Sequence, residues 1–114
     1  MEREKIQDFT RRLSVCNSGE MIVIIYDIYF AFASDAKEAL HAGNYDVFKD
    51  AVHKAQQVLT RLMEDLNFAY PISKNLYQLY VFSRNALSRS LYEKKADGIY
   101  EAEKVLTHLY AGLV

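Results

Sequence analysis

The chain reads as an all-α protein: an antiparallel, up-down four-helix bundle with a short additional N-terminal helix. Three features lead there. Apolar residues recur at steps of three and four through most of the 114 residues, the period of helices buried on one face. Gly19, Gly43, Pro71, Gly98 and Gly112 punctuate the chain, and the stretches between them carry that period. No stretch alternates apolar and polar residues between turn signals, as a half-buried strand would. Short connections make sequential helices antiparallel neighbours. A chain of this length is expected to form one domain, with residues 1–15 as an N-terminal helix or lid and 17–114 as the bundle.

Each element has its own signals. Ile6, Phe9 and Leu13 give a short amphipathic helix from about Glu2 to Ser14, interrupted by Val15 to Ser18. Asn17 followed by Glu20 fits a capping pattern for the next helix, expected from about Ser18 to His41 and stopped at Ala42-Gly43. Asn44 or Asp46 starts the following helix. Its stripe is the cleanest in the chain: Phe48, Val52, Ala55, Leu59, Leu62 and Leu66. Pro71 breaks the pattern after Asn67 and suits the first turn of a new helix. Ile72, Leu76, Leu79, Tyr80, Leu87 and Leu91 then form a stripe ending near Lys95. Asp97 or Gly98 opens the last helix, with Ile99, Ala102, Leu106, Leu109 and Leu113 facing inward.

Within the second helix, MIVIIYDIYFAFA (21–33) carries Asp27 as its only charge. As a helix this run rises about 20 Å, against a hydrocarbon core of about 30 Å, so no membrane insertion is expected. A helix apolar all round must be covered on most sides. Asp27 either marks a narrow solvent-facing side or orients a neighbour such as a backbone N–H or a tyrosine, because a buried carboxylate without a partner costs several kcal/mol, on the order of 2–5.

Composition excludes several function classes. A net charge of −1 gives no electrostatic case for nucleic acid or for an anionic membrane surface. Cys16 is the only cysteine, so no internal disulfide forms, and the charged N-terminus lacks the apolar run of a signal peptide. A cytoplasmic protein is the expectation. Glu38-x-x-His41 and Asp50-x-x-His53 have the spacing of metal-binding bundle ligands. His53, however, falls on the outward side of its helix, and no interior carboxylates are evident on the other helices. Cys16 has no histidine nearby in sequence, His108 stands alone, and no glycine-rich phosphate loop is present. No cofactor, no metal and no enzymatic activity are therefore expected. Nine tyrosines and six phenylalanines without tryptophan suit half-buried seams and binding surfaces, or simply a core.

The residues around Asp27 resemble a known family. Asn17-Ser-Gly-Glu-Met-Ile-Val-Ile-Ile-Tyr-Asp27 resembles the S-P-x-E-L-I-x-x-L-Y-D-G signature of the flagellin export chaperones, the FliS family, with Ser18 in place of its proline and Ile28 in place of its final glycine. Lys54-Ala55-Gln56 followed by Leu59, Leu62 and Leu66 is similar to that family's K-A-Q-x-I-I-x-x-L segment. Ile72-Ser-Lys-Asn-Leu-Tyr-Gln-Leu-Tyr80 is similar to its I-A-x-N-L-x-x-L-Y stretch, with Phe82 in place of a following tyrosine. The three pieces stand in order between about Asn17 and Leu109.

The resemblance implies a helical bundle that binds the disordered C-terminal segment of flagellin in the cytoplasm. It also implies that the chaperone prevents premature polymerisation and hands the client to the flagellar export apparatus. Such a client can lay amphipathic helices into apolar grooves as it folds. The expected contacts are Ile25, Tyr26, Asp27, Tyr29 and Phe32 on the second helix, and Leu76, Tyr77, Tyr80 and Phe82 on the fourth. Tyr92 is a further off-stripe aromatic. Ile6, Phe9 and Leu13 are expected to cover part of the groove in the free protein. The same aromatics could instead thicken the core or a homodimer seam, and a monomer or weak homodimer is expected. A helical interaction module or homodimeric adaptor for another client remains the alternative, with a metal-binding bundle behind it.

Overall fold

The structure, a computed structural model, describes residues 21–113. The expected helix over residues 2–14, the Asn17 cap and Cys16 lie outside the described residues. Four helices and no strands are found among those described: α1 (Met21–His41), α2 (Tyr45–Glu64), α3 (Ile72–Glu93) and α4 (Asp97–Leu113). Each packs against its neighbour in sequence, and α1 also packs against α4, which closes the bundle into a ring. None of these helices is long and apolar enough to cross a membrane.

The connections follow from local chemistry. α1 ends in a Schellman turn: Gly43 takes φ 74°, its N–H donates to the Leu40 carbonyl (3.1 Å), and the Asn44 N–H donates to Ala39 (2.9 Å). Asn44 then caps α2, its side chain accepting from the Val47 N–H at 3.3 Å. Pro71 sits immediately before the first residue of α3, where its missing N–H costs nothing. α3 closes on Lys94 in the left-handed region at φ 55°.

The stripe read from α2 is buried along its whole length, from Phe48 to Leu66. Leu76, Tyr80 and Leu87 of α3 and Ile99, Ala102, Leu106 and Leu109 of α4 complete most of the core. Ile72, Leu79 and Leu91 pack against its margin. In α1 the inward face is Ile22, Tyr26, Tyr29, Ala33 and Ala36, a repeat of four and three. Each of these side chains contributes roughly 1.5–3 kcal/mol on burial where it is large.

Three serines of α3 are also fully buried: Ser73, Ser83 and Ser90. Each hydroxyl is satisfied. Ser73 donates to the Asn67 carbonyl (2.6 Å), Ser83 donates to Leu79 (2.9 Å), and Ser90 accepts from the Ile99 N–H (2.9 Å). The last of these caps α4 from the neighbouring helix and fixes the α3–α4 seam.

Candidate partner-binding surface

Polar contacts stitch the seams between helices. Gln56 of α2 donates to the Arg84 carbonyl and the Ser88 hydroxyl of α3, and Arg84 donates to Thr60. Arg89 pairs with Glu101 across α3 and α4. Lys37 of α1 pairs with Glu103 of α4 at 2.8 Å. The α1–α4 seam is aromatic at its other end, where Tyr110 stacks on Tyr26 and meets the edge of Phe30.

Asp27 faces solvent on this seam and lies beside the Tyr110 hydroxyl. As hydrogen-bond acceptor the carboxylate raises the Tyr110 pKa, with burial and its negative charge as lesser causes. The solvent-facing reading of Asp27 therefore holds, and its carboxylate acts on the nearby Tyr110 phenol.

The expected contact residues divide by depth. Tyr26, Tyr29, Leu76 and Tyr80 are core residues, each no more than 1% exposed. Ile25 and Phe32 are half-buried at the edge of α1. Asp27, Tyr77 and Phe82 are exposed. Ile6, Phe9 and Leu13 lie outside the described residues. Glu38, His41, Asp50 and His53 are all exposed, and no group of metal-ligating side chains forms among the described residues.

Two apolar surfaces emerge that a partner could use. On α1, Met21, Ile24 and Ile28 are 44–54% exposed and follow one another at steps of three and four, on the side away from Tyr26 and Tyr29. Phe32 continues the same line toward α2. The second surface is aromatic. Phe68 before α3 meets Tyr77 edge to face at 5.9 Å, both exposed. Tyr70 is exposed too, and Phe82 is exposed on another side of α3, about 140° around from Tyr77. Large apolar side chains exposed side by side, as along the α1 stripe and at Phe68–Tyr77, are typical of interaction sites. The periodicity of 21–33 could not single out Met21, Ile24 and Ile28, because nearly every residue there is apolar. Phe68 and Tyr70 lie in a loop, where helical spacing carries no signal.

These surfaces contain large apolar side chains and no constellation of nucleophile, base or metal ligand among the described residues. What they can do chemically is bury an amphipathic segment of another chain. A family model described as flagellar protein FliS matches residues 4–112. No curated protein and no solved structure matches the chain significantly.

Proposed function

Because the chain belongs to the family of flagellar protein FliS, we propose that it is a cytosolic export chaperone without enzymatic activity. Its client on this reading is the disordered C-terminal region of flagellin, which it keeps from polymerising and delivers to the flagellar export apparatus. The bundle of residues 17–114 provides the grooves, its helices alternating in direction as their short connections favour. The segment 1–15, through Ile6, Phe9 and Leu13, covers part of the groove and moves aside when the client binds.

One observation carries the reading beyond family membership: the bundle completes its core with Tyr26, Tyr29 and Tyr80 inside and still leaves Met21, Ile24 and Ile28 in solvent. A folded domain gains nothing from such a stripe alone, whereas a client helix laid along it removes the stripe from water. Ile25 and Phe32 flank that groove, Tyr77 and Phe82 offer separate anchors, and Tyr26, Tyr29, Leu76 and Tyr80 hold the helices beneath. Asp27, beside Tyr110, marks the polar margin.

Light scattering of flagellin during polymerisation tests the proposal. An equimolar amount of the protein should suppress filament growth; growth at the unchanged rate contradicts it. The same apolar stripe also fits a homodimer seam, which sedimentation analysis at micromolar concentrations distinguishes.

A further inference from the structure

The turn between α1 and α2 carries a groove of about 400 Å³. Its floor contains Ala39 and Ala51, both buried, whose short side chains leave the space open. Phe32 and the half-exposed Val47 form apolar walls. Asp35, Glu38 and Asp50 stand on the rim with a single cation, Lys54.

That cation is already engaged. The Lys54 ammonium pairs with Asp50 at 3.0 Å and lies 5.8 Å from the centre of the Phe32 ring. Asp35 and Glu38 make no ion pair with any described residue. Lys49 lines a separate cleft with Tyr45 and Lys94. The C-terminal end of α1 and the N-terminal end of α2 meet at this turn, so their opposite partial charges largely offset each other. The groove thus pairs an apolar interior with a net negative rim.

We infer that this groove docks a basic amphipathic helix of a partner protein, with an apolar side chain seated between Phe32 and Val47 and lysine or arginine facing Asp35 and Glu38. Charge complementarity selects that occupant: a negative rim repels an acidic peptide, nucleic acid and an anionic lipid surface alike. The inference concerns the charge class of this partner and does not rest on flagellin being the client.

The test uses the full chain and a capped amphipathic helical peptide of leucine and lysine, with a leucine–glutamate peptide of the same pattern as control. Amide shifts on titration at low salt should centre on Ala39, Val47 and Ala51. The glutamate peptide should not bind. The double variant Asp35→Asn/Glu38→Gln, at two exposed positions, should weaken the lysine peptide about tenfold with an unchanged circular dichroism spectrum, and added salt should do the same. Val47→Ser should weaken it at any salt concentration. Failure of the lysine peptide to bind overturns the inference. So do shifts centred on Met21–Ile28 or Tyr77–Phe82, equal binding of the glutamate peptide, or an affinity untouched by the double variant.

Discussion

The hydroxyls of Tyr26 and Tyr80 meet at 2.9 Å in the centre of the bundle, joining α1 to α3. Both rings are fully buried, so their polar atoms need partners within the protein. This bond ties together two helices that are not neighbours in the ring, and it sets the rotation of α1. With Tyr26 turned inward, Met21, Ile24 and Ile28 must turn outward. The core contact and the candidate binding stripe are two sides of one helix.

A double-mutant cycle measures that tie. Tyr26→Phe and Tyr80→Phe should each lower stability by about 1 kcal/mol, and the double variant should cost less than their sum. Urea unfolding followed by circular dichroism checks this. Strict additivity would mean that the two hydroxyls do not interact.

Tyr29 behaves differently, because its buried hydroxyl has no hydrogen-bond partner among the described residues. Tyr29→Phe removes the unpaired polar atom and keeps the ring. The variant should be as stable as the parent or more so, by up to about 1 kcal/mol, in a thermal melt at pH 7. A drop in Tm of several degrees would reveal a partner that the geometry does not contain.

Alkaline pH should expose the same residue. Burial, and to a lesser degree the Glu103 carboxylate, hold the Tyr29 phenol above its ordinary pKa of 10.0. Burial and Tyr80 do so for Tyr26. Above about pH 10 the unfolded chain releases these protons first, so the folded state binds more protons and stability falls as pH rises. Below that value the contribution is complete and flat. Unfolding midpoints between pH 8 and 11 should fall only in the upper part, and less steeply for Tyr29→Phe.

The α3–α4 seam depends on a missing side chain. A Cβ on Gly98 would overlap the Ala86 carbonyl oxygen and stand 2.7 Å from the Ser90 hydroxyl, which caps Ile99. Gly98→Ala should therefore cost about 1–3 kcal/mol, although alanine is the better helix former. Denaturant unfolding that showed a gain would place the seam further apart.

Much of this architecture was legible in the sequence. The α2 stripe from Phe48 to Leu66 is periodic and surrounded by polar residues, so spacing alone identified its buried face. Asn44, Gly43 and Pro71 marked ends because their backbone chemistry suits caps and turns. In 21–33 almost every position is apolar, and periodicity had no contrast with which to separate Tyr26 from Ile28. The burial of Ser73, Ser83 and Ser90 follows from the fold, because each hydroxyl finds a nearby backbone group. The Asp27–Tyr110 and Tyr26–Tyr80 contacts join residues far apart in the chain, and only the fold brings them together.

The N-terminal segment offers a separate check on the proposed groove. Deleting residues 1–14 should leave the helical circular dichroism signal per residue in place and strengthen or leave unchanged client binding. A truncated protein that unfolds would show that the segment belongs to the fold and not to a lid.

Titration calorimetry against a peptide of the flagellin C-terminal region tests the central claim most directly. Saturable binding at micromolar or lower concentration is predicted, with a negative heat-capacity change from apolar burial. Ile24→Ser/Ile28→Ser should weaken it at least about tenfold while the variant stays folded by circular dichroism. No heat at tens of micromolar would contradict the chaperone reading.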